Sequence, residues 1–475
     1  MSIVSGKPTP IVYNLSGNDV NSIEDDPHKF LGSHVCFSGK QEEVFGHVRD
    51  HLVTRLGRID KLLVRGEHKF NVYKNYLLPS CRFILTVHDI TKTNLLALDA
   101  TVHKFMKSWS GLARSAAPEI FHITHLTDVK SIYQLYLEAH ASALLSSRLK
   151  GGEKVNNALD SRLARESEWS RKFSVLSYAQ NKIDDCNVVS LPTSCKKKKE
   201  ILIKSIKEEI SDTWFDHLKD LVVQGDMLRI ALFENADYLW KSFILNMPKG
   251  VMKFIMNAFL DTLPTKNNLS RWGKRMNTKC DLCGKKETLQ HVLNNCKVML
   301  QQGRYTWRHN SVLRIILDTL REVSDSSWTF YCDLAGATKV AGTTIPPDIL
   351  ATQQRPDLVL VNRASKKIIV IELTIPFEQN IHNAHVYKTN KYAGLIMDLR
   401  EQNYDAKLLC IEICSRGLIS DKNKCNIDSI LPLITPRGEQ KKRICKKLQK
   451  EISKRAILGS YTIFYSKYDH DWSVE

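Results

Sequence analysis

Four side chains that could bind one metal ion lie close together in the sequence. They are Cys280, Cys283, His291 and Cys296. Two cysteines in a C-x2-C turn can hold an ion from one side, and a histidine and a cysteine five residues apart on a helix can close the site. Because four protein ligands fill a tetrahedral shell, the pattern predicts a structural zinc and not a catalytic one. The alternative is a chance grouping of core cysteines with a helical histidine, against which the spacing and the polar surroundings argue.

A second set of residues could bind a harder cation. Asp357 opens one apolar segment, and Glu372 lies near the end of the next, fifteen residues later. If the segments pair as a hairpin, both carboxylates can reach the same end and side, where they would attract Mg²⁺ or Mn²⁺. Such an ion can polarise a phosphodiester and lower the pKa of a bound water. The alternative is a hairpin with exposed carboxylates, but Glu372 lies in an apolar run, where an unpaired charge is costly.

A lysine beside these carboxylates would steady a phosphate or a developing charge. Its usual position, two residues after the glutamate, holds Thr374. The next predicted helix offers a substitute, because His385, Lys388 and Tyr392 are spaced to share one face. Lys391 is an adjacent alternative.

Basic residues with interleaved aromatics precede this region. Arg304, Trp307, Arg308 and His309 fall on one predicted helix, a combination that suits phosphate contact and base stacking. The alternative is a surface helix with ordinary aromatic packing. A shorter basic helix carrying Arg271 is a further candidate for nucleic-acid contact.

The composition narrows the class of partner. The chain has 475 residues and a formal net charge of +18, which points to a polyanion, either nucleic acid or an anionic membrane surface. No run of about 20 apolar residues is present, so no bilayer-spanning helix is expected. The N-terminus lacks an apolar signal-peptide core, so secretion is not expected. Nine of the twelve cysteines are scattered singly, as in a reduced intracellular protein with one metal site.

The elements that must position these residues change in type along the chain. Apolar residues recur every three or four positions from about 40 to 150, which predicts helices, one stopped by Pro79 and another capped by Asn94. Residues 150–200 are polar and predict a linker or boundary. After residue 300 the predicted order is helix, strand, hairpin, helix, strand, which is typical of an α/β domain.

These motifs together resemble the C-terminal part of the polyprotein of site-specific non-long-terminal-repeat retrotransposons that carry a restriction-like endonuclease. The resemblance covers roughly residues 230–417. The motifs that carry it are the Cys280–Cys296 cluster, Gly303 to Asn310, Arg355-Pro356-Asp357-Leu358-Val359, Glu372-Leu373-Thr374-Ile375-Pro376-Phe377-Glu378, Lys388 and Lys391-Tyr392.

The resemblance implies an α/β nuclease similar to the PD-(D/E)xK enzymes. Asp357 and Glu372 would hold Mg²⁺ or Mn²⁺, Lys388 would be the catalytic lysine in place of Thr374, and Tyr392 would support it. Arg271, Arg304, Arg308, His309 and Lys391 would contact nucleic acid. The implied activity is nicking of target DNA to prime reverse transcription. The implied partners are target DNA and element RNA in the nucleus, with neither a small-molecule substrate nor a membrane.

The N-terminal part resembles a reverse transcriptase less closely. Lys29-Phe30-Leu31-Gly32 is similar to the segment after the catalytic palm, and the helices that follow resemble the thumb. The palm aspartates are missing, so polymerase activity is not expected from this chain alone. The predicted domains are a palm remnant (1–38), a thumb-like helical domain (39–150), a helical linker region (151–276), a CCHC zinc knuckle (277–300) and the nuclease with a basic C-terminal helix (301–475).

The predicted fold is therefore multidomain, mainly α in its N-terminal two-thirds, with a small zinc knuckle and a C-terminal α/β domain. Two alternatives to the enzyme stay open. The missing palm and Thr374 also suit an inactive or co-opted fragment that only binds nucleic acid. The basic helix from Arg437 to Arg455 suits any anionic surface, but its apolar stripe is narrow and lacks aromatics, which disfavours a membrane.

Overall fold

The computed structural model describes residues 2–4, 7–9, 13–20, 28–30, 33–35, 41–124, 126–233, 235–237, 239–338, 340–435 and 441–472. The chain forms two compact units. The first comprises Met1–Trp109, Phe121–Thr124 and Asp128–Trp214, and the second comprises Ser110–Ile120, His125–Thr127 and Phe215–Glu475. The five-domain division expected from the sequence stays a prediction.

The chain up to residue 220 begins with short strands and continues as helices. The strands form three antiparallel pairs, β1 (Ser2–Val4) with β2 (Lys7–Thr9), β3 (Tyr13–Leu15) with β4 (Asn18–Val20), and β5 (His28–Phe30) with β6 (Ser33–Val35). The helices are α1 (Gln41–Asp60), α2 (Gly66–Val72), α3 (Leu78–Val87), α4 (Lys92–Ser110), α5 (Ile132–Lys150), α6 (Gly152–Arg165), α7 (Glu168–Arg171), α8 (Val175–Asp185) and α9 (Cys195–Asp220). Leu31 and Gly32 of the palm-like motif lie outside the described residues.

The helical periodicity is confirmed, although two expected boundaries are wrong. Pro79 does not stop a helix, because a π-helical turn at Tyr73–Leu77 leads directly into α3, and Pro79 lies in the first turn of α3. The first turn of a helix tolerates proline, since its N–H groups have no intrahelical acceptor there. Asn94 does not cap α4; its backbone N–H donates to Thr91 Oγ1 at 3.2 Å, so Thr91 caps the helix.

The polar stretch 150–200, predicted to be a linker or boundary, is largely helical. It folds as α6, α7 and α8, and the lysine run at 196–199 forms the first turn of α9. Ser167 and Ser174 cap α7 and α8 by accepting from the backbone N–H groups of Ser170 and Ser177. The polar composition of this stretch is therefore that of surface helices with capping serines.

A buried histidine pair lies in the first unit. The Nε2 atoms of His103 and His122 are 2.6 Å apart, and His122 Nδ1 lies 2.7 Å from Val129 O. Because a carbonyl only accepts, His122 carries its proton on Nδ1 and accepts from His103 through Nε2. Burial lowers the pKa of His103 to about 2 and that of His122 to about 4, so both rings are neutral.

The second unit combines helices with a small mixed sheet. Its helices are α10 (Asp226–Phe233), α11 (Lys249–Phe259), α12 (Lys266–Arg271), α13 (Lys297–Gln301), α14 (Arg304–Val323), α15 (Ile381–Glu401), α16 (Asp421–Ile434) and α17 (Lys441–Tyr465). Its strands are β7 (Ala236–Asp237), β8 (Thr329–Cys332), β9 (Leu358–Asn362), β10 (Lys367–Thr374), β11 (Asp405–Glu412) and β12 (Ile419–Ser420). Single turns of other helix types span Pro118–Phe121, Leu239–Ser242, Ile244–Asn246, His291–Asn295 and Glu378–Asn380.

The predicted hairpin is confirmed as the centre of the sheet. The strand order is β11-β10-β9-β8; β9 pairs antiparallel with both β8 and β10, and β11 is parallel to β10. The helix α15 connects the parallel strands, as parallel pairing requires a crossover. The mixed α/β character expected after residue 300 is thus observed.

Helices cover both faces of this sheet, so its central strands are buried throughout. Side chains alternate between the faces: Leu358, Leu360 and Ile371 join the core formed with α14, α16 and α17, whereas Val359 and Val370 join the core with α15. Glu372, which continues the alternation of Val370, therefore lies on the α15 face. The register of β10 alone thus directs this carboxylate toward the helix that carries Lys388.

Candidate metal centres

A short turn presents the first two ligands of the cysteine–histidine cluster. Lys279 bridges to Lys286 in antiparallel fashion, and Cys280 N donates to Lys285 O at 2.7 Å. Gly284 N donates to Cys280 O at 2.9 Å, and Gly284 has a φ of +73°, a conformation that costs glycine little. The tight turn explains why glycine follows the second cysteine.

A π-helical turn presents the other two ligands. His291 begins the turn His291–Asn295, and Cys296 caps the following helix α13. The chain leaves the π-helical turn at Cys296 in an extended conformation, and both side chains reach the same side. The ligand atoms of all four residues lie within 4.8 Å of one another, and Cys283 Sγ is 3.2 Å from His291 Nε2. The structure thus brings together the predicted ligands; we call this set the zinc cluster.

The donors of the zinc cluster fit a zinc ion. Three sulfurs and one imidazole are a donor set that tetrahedral zinc accepts, and four protein ligands close its shell. Burial raises the pKa of the Cys280 thiol to about 11 and also raises that of Cys296. Buried thiols at this position therefore need a cation before they ionise, which is what a bound divalent ion supplies.

Neighbouring elements hold the zinc cluster in place. Lys266 of α12 forms an ion pair with Asp281, between the first two cysteines. Lys467, just after α17, forms another with buried Glu287 at 3.2 Å. Tyr305 of α14 accepts from Cys296 N at 3.1 Å and donates to Val292 O at 3.0 Å. These contacts connect the metal-binding loop to three separate helices or their flanks.

The second candidate site lies at one end of the hairpin. Asp357 immediately precedes β9, and Glu372 lies near the end of β10. Asp357 N donates to Glu372 Oε2 at 3.2 Å, and Leu373 N donates to Asp357 Oδ2 at 2.8 Å. The two carboxylates therefore share one end of the sheet, as the fifteen-residue spacing predicted.

Lys388 supplies a positive charge to this end of the sheet. Its Nζ forms an ion pair with Glu372 Oε1, whose side chain is 2% exposed. Burial raises the pKa of Glu372, and the charge of Asp357 raises it further, while Lys388 opposes both. Lys388 is thus in the position expected of a lysine that replaces the one missing at Thr374.

His309 also belongs to this site. Its Nε2 lies 3.2 Å from Asp357 Oδ2 and 3.1 Å from Leu373 O. Burial lowers the pKa of His309, but the hydrogen bond and charge of Asp357 outweigh burial, so the pKa is raised overall. The sequence predicted His309 as a nucleic-acid contact and missed this partner, because α14 reaches the sheet only in the folded chain. We call Asp357, Glu372, Lys388 and His309 the carboxylate site.

Tyr392 and Lys391 flank the carboxylate site. Tyr392 is fully buried and donates to Arg355 O at 3.0 Å, which holds the chain just before Asp357. Burial, followed by the charge of Glu372, raises the pKa of Tyr392 well above its usual value. Lys391 is exposed and its Nζ lies 2.9 Å from the Tyr392 hydroxyl. Tyr392 therefore ties α15 to the chain just before Asp357, and Lys391 stays exposed to solvent.

The oxygens of the carboxylate site fit a hard cation. Asp357 and Glu372 offer carboxylate oxygens, and each carboxylate accepts a backbone N–H from the other strand's segment. Leu373 offers a backbone carbonyl, which His309 contacts. Oxygen-only donors at the open end of a sheet are the ligands that Mg²⁺ and Mn²⁺ prefer.

The predicted role of Arg304 and Arg308 needs correction. Both side chains are fully buried. Arg304 Nη1 donates to Ser466 O at 2.5 Å, and Arg308 Nη1 donates to Ser460 Oγ at 2.8 Å. They therefore join α14 to α17 and its C-terminal flank, and in this position neither guanidinium can reach a phosphate.

Arg271 remains exposed at the end of α12. Thr265 caps this helix by accepting from Asn268 N at 3.2 Å. Lys441 begins the basic C-terminal helix α17, whereas residues 437–440 of that predicted helix lie outside the described residues.

Comparisons with known proteins agree with the zinc cluster. Residues 226–302 match the model of a family described as zinc-binding in reverse transcriptase, and this range contains all four ligands. No curated protein matches the sequence. Of the helices in the described ranges, none has the length and apolar composition needed to cross a membrane. The family match and the geometry together support a retrotransposon-related protein with a reverse-transcriptase-type zinc-binding region.

Proposed function

We propose that this protein is a metal-dependent DNA endonuclease derived from a retrotransposon polyprotein, and that it nicks target DNA to prime reverse transcription. The observation that carries the proposal is the convergence of Asp357, Glu372 and Lys388 at one end of the sheet. Reverse transcription itself is not proposed, because the sequence lacks palm aspartates.

Each residue of the carboxylate site has a role in this proposal. Asp357 and Glu372 would hold Mg²⁺ or Mn²⁺, which when bound would polarise the phosphodiester and acidify a water. Lys388 would move from Glu372 to the phosphate or the developing charge on its oxygens. Tyr392 would keep the Arg355–Asp357 segment in place through its bond to Arg355 O. His309 would orient Asp357 through its hydrogen bond.

The charge of the chain supports a nucleic-acid partner. A net charge of +18 favours binding to a polyanion. Arg271 beside the zinc cluster and Lys391 beside the carboxylate site are exposed, so both could contact phosphates. Under this proposal the partners are target DNA and element RNA, and the protein works in the nucleus, where chromosomal DNA is accessible.

Nicking of supercoiled plasmid in the presence of Mg²⁺ tests the proposal. Asp357→Asn should lower the nicking rate by roughly 100-fold or more, because it removes a carboxylate that binds the metal. Asp348→Asn is a matched control, since Asp348 is an exposed carboxylate that pairs with Arg363 at 2.7 Å; it should nick normally. Nicking by folded Asp357→Asn at the wild-type rate would rule out this assignment.

A second candidate function is nucleic-acid binding without cleavage. It is favoured by Thr374 at the usual lysine position and by the ion pair that already engages Lys388. Under this alternative the wild-type protein binds nucleic acid with an affinity that falls steeply with salt, yet no Mg²⁺ or Mn²⁺ concentration produces nicks.

A further inference from the structure

We propose that His385, Cys410 and Glu412 form a second zinc site, distinct from the zinc cluster and on the face of the sheet covered by α15. This inference rests on these three residues alone and does not depend on nuclease activity. Their ligand atoms all lie within 4.8 Å of one another. His385 Nδ1 is 2.9 Å from Glu412 Oε1.

The fold places the three ligands together through rigid elements. Cys410 and Glu412 are two residues apart on β11, so both side chains point to the same face. His385 lies on α15, which packs over that face. Thr389, one helical turn after His385, brings its hydroxyl to 3.5 Å from His385 Nε2 and 3.8 Å from Cys410 Sγ. A site built on a strand and a helix needs little rearrangement to bind an ion.

Burial favours a bound cation here. Glu412 and Cys410 are almost completely buried, whereas the His385 side chain retains 18% of its surface and leaves a path from solvent. Cys410 pairs in register with Glu372 of the carboxylate site, so two buried carboxylates share this face. Lys388 pairs with Glu372 and His385 pairs with Glu412, and a zinc ion would add positive charge beside the two buried carboxylates.

A simple hydrogen bond between His385 and Glu412 is the competing explanation. It accounts for two of the three residues, but it does not use the thiol of Cys410. Metal binding would use the Cys410 sulfur, which otherwise lies 3.8 Å from Thr389 Oγ1, so substitution of Cys410 separates the two explanations.

The donor types select the metal. One nitrogen, one sulfur and one carboxylate oxygen are all zinc ligands, whereas a thiolate is a poor ligand for Mg²⁺. Three protein ligands leave a fourth position for water. A zinc ion there would join β11 to α15 at His385, three residues before Lys388. It would thereby fix the position of Lys388 relative to Glu372. His385, Cys410 and Glu412 would then be positioning residues for the carboxylate site.

Zinc stoichiometry of the full chain tests this proposal. After loading with Zn²⁺ and removal of excess, wild-type protein should release about two zinc ions per chain, one from each site. Cys410→Ala and Glu412→Gln should each release about one ion, and so should Cys283→Ser, which disrupts the other site. Cys425→Ala is the matched control, because Cys425 is exposed on α16; it should retain both ions.

Release of only one ion by wild-type protein, or of two by folded Cys410→Ala, would overturn the proposal. A Co²⁺ titration of the wild-type chain keeps the test decisive if a variant fails to fold. Two saturable phases are expected, one with strong charge-transfer absorption from three thiolates and one with about a third of that intensity from one thiolate. A single phase would mean that the His385–Glu412 hydrogen bond is the whole interaction.

Discussion

The zinc cluster and the carboxylate site gather their ligands in opposite ways. The zinc cluster takes its four donors from one short stretch of chain, residues 280–296. The carboxylate site takes its groups from α14, α15, β10 and the chain before β9, and Lys388 and His309 already accompany the two carboxylates. We expect a bound zinc ion to stabilise the fold of the first site, whereas in the second site the charged groups of the protein already pair with one another.

Among the variants that test this difference, removal of a zinc ligand should have the largest effect on stability. Cys296→Ser should empty the zinc cluster and lower the free energy of unfolding by about 4 kcal/mol or more, because metal binding there is coupled to folding. Denaturant unfolding, together with zinc analysis, measures this. Cys425→Ser should leave both quantities unchanged. Equal stability of Cys296→Ser and wild type would mean that a bound ion contributes no more to the fold of the zinc cluster than to that of the carboxylate site.

Removal of Lys388 should show how much its ion pair with Glu372 contributes to stability. Lys388→Met leaves Glu372 buried without its partner, which should cost about 3 kcal/mol of stability and abolish nicking. The double variant Lys388→Met with Glu372→Gln should recover most of the stability but none of the nicking. Lys391→Met, which changes an exposed lysine, should cost less than about 0.5 kcal/mol. No recovery in the double variant would show that the ion pair does not explain the loss.

The histidine pair of the first unit provides a reference that should respond to protons and not to chelators. Burial holds the pKa of His122 at about 4 and that of His103 at about 2, below the usual 6.5. The unfolded chain therefore takes up protons first, so stability is full above pH 7 and falls as the pH drops below 6.5. The expected loss between pH 7 and pH 5 is about 2 kcal/mol for each histidine.

Hydrogen exchange of the α4 amides at the two pH values, corrected for intrinsic rates, measures this loss. His122→Asn should reduce the pH dependence, and EDTA should not change it. A change in the exchange rates of α4 on addition of EDTA would contradict the expectation that the histidine pair is stable without a metal.

The smallest expected effect concerns the surface beside the zinc cluster. Arg271→Gln should weaken DNA binding a few-fold and reduce the slope of log affinity against log salt by about 1, because one phosphate contact is lost. Thermal stability should not change. Arg363→Gln is the control, since Arg363 is an exposed arginine in the turn at the opposite end of β9. An equal loss in both variants would mean that binding is spread over the surface and does not centre on either site.

The two sites also differ in how far the sequence could predict them. The ligand spacing of the zinc cluster is local, so the sequence alone identified all four residues. The Asp357–Glu372 pair was predictable because strand alternation and hairpin pairing are short-range rules. Lys388 required a helix to pack over the sheet, yet the spacing on α15 still singled it out.

The boundary errors at Pro79 and Asn94 are local, but the failures at the candidate sites all involve partners that are distant in the sequence. The pattern of α14 identified a basic, aromatic helix, but it could not show that Arg304 and Arg308 face α17, which begins at Lys441. Nor could it show that His309 meets Asp357. The sequence did not indicate a metal site at Cys410 and Glu412, because their alternation with Ile411 is typical of an ordinary strand. His385 comes close to them only when α15 packs on the sheet.

The long-range pairing of α14 with α17 has a consequence for biosynthesis. Arg308 donates to Ser460, which lies 152 residues further along the chain, and Gly459 leaves the space that the Arg308 side chain fills. At ribosomal rates of about 5–20 residues per second, roughly 8 to 30 s separate the synthesis of these two partners. During that interval the arginines of α14 are solvated, and a nascent chain would carry them as surface charges. The buried contact can close only after α17 leaves the ribosome, so α14 gains this support well after its own synthesis.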